Sequence, residues 1–486
     1  MDDRATRALD QVIGALDVLV AASNETKGLF PSIADPADGT LLETLPPTVP
    51  GQRNHDRAPR GNNLLHDEPI IQTMAALAAT GDRPAYEAAI DRYLDTFATS
   101  CVSRSYDADA GGSVTGLFPW GEHAYWHLDE DRVGNSSAHD RDDPGPAVHD
   151  HLRLVPERLW ERIYARNPLA VHDFADGLTY HWNDPEDREY IRHAYITEKA
   201  RYPVGDRSCD FPRHGGHYVY DWAYAYAQDP HAEYRRRIEE LVDYWWIRRL
   251  DDDLLPLESR GNADRGSIGQ TLSHAVSLYE AAALLPDGAS DTATRLRERG
   301  AAYGDALLDR HDQRGIAPSA WWASVYGGTP PGEVAATRGL QLLAAYEQTG
   351  HEAFLDWAIE IGRAYRDRPF PEDGTVAIAD TGFDDVRGVG SDGTIPVWAF
   401  AAGCTVGFLA DLYVRTDEER WLTDGLELTE QIIPAYLEDA LPRGTPTVDH
   451  YENQLGTGFL LHGMARLALL ERDGPAAALG PNYTAR

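Results

Sequence analysis

The chain has 486 residues, of which 42% are apolar and 25% are charged, and it has no apolar run near the roughly 18 residues that cross a bilayer. Its 79 acidic residues outnumber 44 basic ones and give a formal charge of −35, so neither nucleic acid nor an anionic membrane is expected as a partner. The N-terminal sequence MDDRATRALD is acidic and amphipathic rather than a basic and apolar leader, which predicts a soluble, cytoplasmic protein.

The basic residues and the cysteines further restrict the class of protein and the kinds of site that it can contain. Only Lys27 and Lys199 are lysines. An acidic surface in which arginine replaces lysine resembles that of halophilic proteins, in which salt screens the repulsion between like charges. Cys101, Cys209 and Cys404 are far apart and form no CxxC motif, which argues against a structural zinc site or a disulfide framework. We therefore expect no metal and no cofactor.

Helical patterns dominate the chain from end to end. Apolar residues recur at intervals of three and four, as in amphipathic or buried helices, and alternating strand patterns are scarce. The predicted helices include residues 5–22, 69–79, 147–165, 233–249, 334–347 and 397–414. The chain is predicted to be all-α.

Short breaks divide these helices into pairs. Turn sequences rich in Asp, Gly and Pro begin at Thr80, Arg166, Gln228, Pro286, Thr349 and Arg415. Such residues end one helix and cap the next, so each break predicts an antiparallel hairpin. The breaks recur at intervals of roughly 60 residues or more, and a repeat of supersecondary units is typical of helical arrays.

Much longer connections separate the pairs. They cover residues 23–66, 102–146, 179–212, 250–265, 310–332, 367–393 and 437–449. Because helices alternate in direction, the long connections must all lie at one end, and long loops are usually functional. We predict an (α/α)6 to (α/α)7 toroid over residues 1–472 that is closed by its terminal helices, followed by a tail over 473–486. The alternative is an open helical solenoid, and the toroid is compatible with a homo-oligomer.

Aromatic and titratable residues gather in or just after the long connections. The sequences GLFPWGEHAYWHLDED, TYHWND, FPRHGGHYVYDW, LESRGN, SAWWASVYGG and DHYENQ are the clearest cases. Aromatic faces stack on sugar rings while carboxylates, amides and arginines bind hydroxyls, so the mixture favours a carbohydrate cleft over an apolar pocket.

The stretch FPRHGGHYVYDW concentrates cations in an acidic chain. Its first residues stand before a helix predicted to begin near Gly216, where backbone N–H groups favour anions. The candidates for substrate binding or catalysis are Arg213, His214, His217, Tyr218 and Tyr220. The same residues are also compatible with structural hydrogen bonds and ion pairs.

Such a cluster suits β-elimination at a uronic acid. The C5 proton is weakly acidic because the neighbouring carboxylate resists further negative charge. A cation must neutralise that carboxylate, a base must take the proton, and an acid must assist the leaving oxygen. The substrate predicted on this basis is an acidic oligo- or polysaccharide.

Other candidates lie in separate loops. Glu122 and His123, with Trp120 beside them, provide an acid in an aromatic setting that raises a carboxyl pKa. Asp150 lies between two histidines at a predicted helix start, where it is also compatible with capping. The remaining candidates for substrate contact are Glu258, Arg260, Trp321, Trp322, His450 and Tyr451.

The chain resembles the (α/α)-toroid carbohydrate-active enzymes. The resemblance lies in the regular recurrence of helical hairpins and in the sequences GLFPWGEHAYW, HDHL and FPRHGGHYVYDWAYAYA. These include uronate-polysaccharide lyases and glucuronidase-type hydrolases. The resemblance implies a catalytic centre in the mouth of the toroid.

Two mechanisms follow from this resemblance. As a lyase, the protein would hold the uronate with Arg213 and His214, use Tyr218 or Tyr220 as the acid, and use His217 or His123 as the base. As a hydrolase, it would use Glu122 with Asp150 or Asp221, and carboxyl groups about 6.5–9.5 Å apart would indicate inversion. A glycan-binding protein without turnover is the third interpretation.

Overall fold

The computed structural model describes most of the chain in a series of ranges. They are residues 2–54, 57–101, 116–119, 124–135, 148–149, 157–184, 189–191, 194–196, 210–259, 263–309, 321, 335–381, 386, 388–475 and 479–480.

The described residues form fourteen α-helices. They are α1 (Asp3–Ser23), α2 (Leu64–Ala79), α3 (Ala85–Ser100), α4 (Glu157–Arg166), α5 (Pro168–Gly177), α6 (Pro212–Gln228), α7 (Ala232–Trp246), α8 (Ile268–Leu284), α9 (Ser290–Leu308), α10 (Ala335–Thr349), α11 (Glu352–Asp367), α12 (Ala399–Thr416), α13 (Glu419–Tyr436) and α14 (Thr457–Asp473). The predicted all-α class is confirmed.

Eleven short strands are found in the described connections. They are β1 (Ile33–Ala34), β2 (Gly61–Asn62), β3 (Ala124–His127), β4 (Arg132–Asn135), β5 (Val148–His149), β6 (Trp182–Asp184), β7 (Glu189–Tyr190), β8 (Ala194–Tyr195), β9 (Thr375–Ala377), β10 (Thr394–Pro396) and β11 (Tyr451–Glu452). The largest sheet has the order β2-β3-β4, and the other pairs are β1-β11, β5-β8, β6-β7 and β9-β10.

Two kinds of helix alternate along the chain. An outer helix such as α1 buries a single stripe, with Ala5, Leu9, Val12 and Leu16 inside and the opposite side in solvent. An inner helix such as α12 is buried on all sides from Ala399 to Tyr413. This alternation places α2, α6, α8, α10, α12 and α14 in an inner ring.

The ring closes through its terminal helices. Helix α1 packs against α14, and α14 packs against α2 and α12. Strand β1 pairs with β11, with Ile33 opposite Glu452, so the first long connection is joined to the last. The predicted pairing of the N- and C-terminal helices is confirmed.

The long connections that precede α2, α6, α8, α10, α12 and α14 each follow an outer helix. They therefore lie at the end of the ring where α2, α6, α8, α10, α12 and α14 begin, and we call this end the mouth. No helix in the described ranges is long and apolar enough to span a membrane.

Four predicted boundaries were wrong. The helix expected over 69–79 begins at Leu64, where the side chain of Asn63 caps its first turn. The helix expected over 147–165 begins at Glu157 in the described residues, and Val148 and His149 form β5 against β8. Helix α6 begins at Pro212 rather than near Gly216, because proline is well suited to the first helical turn. The terminal helix expected over 451–470 begins at Thr457, and residues 451–452 form β11.

Candidate active site

The first turns of α6 bring several predicted residues together. Arg213, His217 and Tyr220 are four and three positions apart, so they lie along one side of the helix. The other sides are occupied. A Cβ added to Gly215 would meet an indole of outer helix α7, and one added to Gly216 would lie 2.8 Å from a serine Cβ of α8. The side that carries Arg213, His217 and Tyr220 therefore faces the interior of the ring.

Helix α8 fixes the start of α6. The backbone N–H of Arg213 donates to Gln270 Oε1 at 3.1 Å, and His274 Nδ1 lies 2.7 Å from the carbonyl oxygen of Pro212. Burial lowers the pKa of His274 to about 4, so its ring is neutral at pH 7 and Nδ1 is the donor in this bond. The position of the α6 N-terminus is thus set by two side chains of its neighbour.

His214 connects a carboxylate to a guanidinium. Its Nδ1 lies 3.5 Å from Asp210 Oδ1, and both residues are buried. On the other side of the ring, Arg213 Nε donates to His214 Nε2 at 3.4 Å. Because Nε2 accepts, Nδ1 carries the proton and points at Asp210. His214 therefore orients the side chain of Arg213.

Glu258 reaches the same region through its neighbour in sequence. The N–H of Ser259 donates to the carbonyl oxygen of Asp210 at 2.8 Å, and Ser259 Oγ accepts from the N–H of Asp210 at 2.8 Å. The half-buried Glu258 is thereby held beside the entry to α6. The structure brings Arg213, His214 and Glu258 into one neighbourhood.

A pair of buried carboxyl groups lies deeper in the ring. Asp221 is one turn below His217, and its Oδ1 accepts from Trp160 Nε1 at 3.0 Å. Burial, together with repulsion from Glu68, raises the pKa of Asp221 well above its ordinary value. Asp221 therefore holds its proton to a higher pH than an exposed aspartate does. Glu68 is itself fully buried and accepts from Gln72 at 3.2 Å.

Sequence reasoning missed Glu68. It stands in the first turns of α2, in the stretch NLLHDEPII, where a charged triplet interrupts a strongly apolar run. That interruption was the available signal, because carboxylates are almost never fully buried without a reason.

His450 and Tyr451 belong to the wall that joins the first and last connections. Arg57 forms a bidentate pair with Glu452, with Nε 2.6 Å from Oε1 and Nη2 2.7 Å from Oε2. His450 Nε2 lies 3.2 Å from the same carboxylate. Burial alone would raise the pKa of Glu452, but the hydrogen bonds from His450 and Arg57 lower it below its ordinary value. Tyr451 is fully buried in β11.

Tyr218 points away from the interior-facing side of α6. It is fully buried, and its hydroxyl lies 3.4 Å from Nδ1 and 3.5 Å from Nε2 of His181. The Nδ1 of His181 also lies 2.9 Å from the carbonyl oxygen of Ile191. Tyr218 thus packs against the connection that follows α5, on another side of the helix from Tyr220.

Trp321 lies in the outer wall. It is only 3% exposed, and its Nε1 donates to the carbonyl oxygen of Arg368 at 2.8 Å. Its ring meets Tyr365 and Phe370 edge to face, at centroid distances of 5.2 and 5.3 Å. The structure therefore separates Trp321 from the α6 group by placing it against α11.

The other predicted site residues lie outside the described residues. They are Trp120, Glu122, His123, Asp150, Arg260 and Trp322. Within the described ranges, no group of three or more His, Cys, Asp or Glu side chains could hold a metal ion.

The chain matches no protein-family model and no curated protein sequence. It is similar in structure to an alpha-1,2-mannosidase from Trichoderma reesei, with a TM-score of 0.53 and 13% identity over 98% of this chain and 96% of the mannosidase.

Two further similar structures are more distant. An unsaturated glucuronyl hydrolase specific for heparin has a TM-score of 0.45 and 11% identity, and the match covers 97% of this chain and 99% of that one. A cellobiose 2-epimerase from Bacillus thermoamylovorans has a TM-score of 0.43 and 9% identity over 96% and 99% of the two chains. At these identities the comparisons concern the fold alone. The mannosidase match confirms the predicted toroid of helical hairpins.

Proposed function

We propose that the protein is a carbohydrate-active enzyme that cleaves a uronic-acid-containing oligo- or polysaccharide by β-elimination. The observation that carries the proposal is the interior-facing row of Arg213, His217 and Tyr220 at the mouth end of α6. A cation, a ring nitrogen and a phenol stand within two turns of one helix, beside a helix N-terminus that favours anions. The alpha-1,2-mannosidase that shares the fold supports a carbohydrate substrate.

Arg213 binds the uronate carboxylate in this mechanism. Its guanidinium is always charged and offers paired donors that match the two carboxylate oxygens. The contact with His214, which is itself held by Asp210, restricts the rotation of the Arg213 side chain. Neutralising the carboxylate makes the adjacent C5–H bond more acidic, which lowers the barrier for removing that proton.

His217 and Tyr220 move the protons. The neutral ring of His217 takes the C5 proton, and the electron pair of that bond forms the C4–C5 double bond as the C4–O bond breaks. Tyr220 gives its hydroxyl proton to the departing glycosidic oxygen. The products are a new sugar end and an unsaturated uronate, no water is consumed, and His217 returns its proton to Tyr220 through solvent.

Hydrolysis is the second candidate, and the buried carboxyl pair favours it. Asp221 has a strongly raised pKa beside Glu68, which is the arrangement that separates an acid from a base in glycosidases. Asp221 would protonate the leaving oxygen, while Glu68 would activate a water molecule that adds to the anomeric carbon. Both groups are buried, so this mechanism requires the sugar to pass below His217.

Incubation with a panel of uronate polysaccharides at high salt distinguishes these candidates. The readouts are ultraviolet absorbance of the unsaturated product and the number of new reducing ends. We expect both signals to rise together. New reducing ends without absorbance would contradict elimination and support hydrolysis, and neither signal on any uronate polymer would favour a binding protein.

A further inference from the structure

A pocket of about 130 Å³ lies in the outer wall between α11 and α13. It is separate from the α6 group, because its walls come from α11, α13, Leu409 of α12 and two connections. Its lining includes Trp321, Arg366, Phe370, Asp424, Glu427 and Gln431.

The pocket combines an aromatic wall with a polar rim. Trp321 and Phe370 contact each other edge to face and are nearly buried, so they form a rigid apolar surface. Glu427 and Gln431 are exposed and follow each other by one turn of α13. Aromatic carbon beside carboxylate and amide groups is the mixture that binds a sugar ring and its hydroxyls.

The charges of the pocket favour a neutral sugar. Arg366 donates from Nε to Asp424 Oδ2 at 3.0 Å, so its charge is already balanced. Glu427 Oε1 is 3.9 Å from Arg4 Nη1, at the limit of an exposed ion pair, which offsets little of its charge. A uronate carboxylate would meet the largely unbalanced charge of Glu427, and like charges repel.

The pocket also lies near the mouth. Gln431 is five residues before the mouth end of α13 at Tyr436, which corresponds to about 8 Å along the helix. Trp321 and Phe370 belong to mouth-end connections. A sugar chain that leaves the mouth over this rim can therefore reach the pocket.

We propose that this pocket binds a neutral sugar unit of the polymer whose uronate is cleaved in the mouth. The proposal rests on the proposed function for the polymer, and it adds that the substrate is a copolymer of uronate and neutral sugars rather than a uronate homopolymer.

The test is saturation-transfer NMR with neutral disaccharides (cellobiose, maltose and mannobiose) and with glucuronic acid, on the Tyr220→Phe protein at high salt. We expect transfer to at least one neutral disaccharide and at least tenfold weaker binding in the Glu427→Ala/Gln431→Ala variant. The matched control is Glu430→Ala, which removes an exposed carboxylate of the same helix that pairs with Arg7.

The outcomes separate this proposal from the proposed function. Binding that depends on Glu427 and Gln431 supports the outer site even if no uronate polymer is cleaved. Absence of binding, equal loss in the Glu430→Ala control, or preference for glucuronic acid overturns it, even if elimination is observed.

Discussion

The inner pairs α6/α8 and α12/α14 occupy equivalent positions in the ring but bury different chemistry. Where α6 meets α8, the first turns bury the side chains of His214, His217, Gln270 and His274. Where α12 meets α14, glycines bring the backbones together, and a Cβ on Gly463 would collide with the carbonyl oxygen of Gly403.

The difference indicates that the α12/α14 pair stabilises the fold, whereas the α6/α8 pair carries the candidate site. In the α12/α14 pair, close backbone contact leaves a cavity of only about 10 Å³, which is too small for a sugar. In the α6/α8 pair, Gly216 also allows a close approach, but the first turns add buried rings and an amide. We therefore expect substitutions in α12/α14 to change stability and those on the inner side of α6 to change turnover.

The largest expected effect is on the stability of the α12/α14 pair. Arg466 donates from Nε to Asp411 Oδ1 at 2.7 Å, and both side chains are buried. Asp411→Ala leaves the buried guanidinium without its counter-ion, which destabilises by about 3–5 kcal/mol. Urea unfolding at fixed salt measures the change. Glu430→Ala, at an exposed pair, is the control and should change stability by less than about 0.5 kcal/mol.

A buried carboxyl group in the first turn of α2 makes the stability of the fold depend on pH. Asp67 accepts from Asn62, Tyr93 and Asn453, at 2.6, 2.9 and 3.1 Å. Burial nevertheless raises the pKa of Asp67 to about 7, from 3.8. The folded state therefore holds this proton more tightly than the unfolded state.

The contribution of Asp67 to stability is complete below pH 4 and is lost as the pH rises to 7. The loss is at most about 4 kcal/mol. We expect the difference in unfolding free energy between the native protein and Asp67→Asn to change by a few kcal/mol over this range. A constant difference would show that Asp67 ionises normally.

Arg213→Ala tests the α6/α8 pair directly. We expect kcat/KM on the uronate substrate to fall about 100-fold, because the carboxylate loses a charged, paired hydrogen bond. Arg213→Lys should recover only part of the rate. Arg363→Ala, at an exposed arginine of α11, is the control. Equal rates for the native protein and Arg213→Ala would remove Arg213 from the site.

The smallest effects come from two glycines. A Cβ on Gly216 would lie 2.8 Å from Ser277 Cβ and 3.2 Å from His274 Cα, so Gly216→Ala should destabilise by about 1–3 kcal/mol. A Cβ on Gly407 would meet only Gly463 Cα at 3.7 Å. Gly407→Ala should therefore be neutral or stabilise by up to about 1 kcal/mol. Thermal unfolding of both variants checks the order, and a larger loss in Gly407→Ala would reverse it.

The architecture could be predicted because the residues that end its helices act through local backbone preferences. The turns at Thr80, Gln228, Pro286 and Thr349 contain residues that end helices by their own backbone preferences, and helices end there in the structure. The start of α6 was predicted near Gly216, four residues after its true start at Pro212. In the structure Gly215 and Gly216 lie inside the helix and allow α7 and α8 to approach closely.

The site could be predicted only in part, since burial depends on distant neighbours. The row Arg213, His217 and Tyr220 follows from helical spacing once the helix is placed. The burial of Glu68 and its repulsion of Asp221 depend on the packing of α2, α4 and α6, which no local pattern encodes. Trp321 shows the same limit, because its packing against Tyr365 of α11, away from the α6 group, depends on a helix that is distant in sequence.

The most direct test compares Tyr220→Phe with Tyr218→Phe. Each variant removes one hydroxyl from α6, but Tyr220 shares the interior-facing side with Arg213 and His217, while the hydroxyl of Tyr218 lies beside His181. We predict that Tyr220→Phe lowers the elimination rate by about 10²–10⁴-fold and that Tyr218→Phe changes it by only a few-fold. A normal rate in Tyr220→Phe, or an equal loss in both variants, would contradict catalysis by this side of α6.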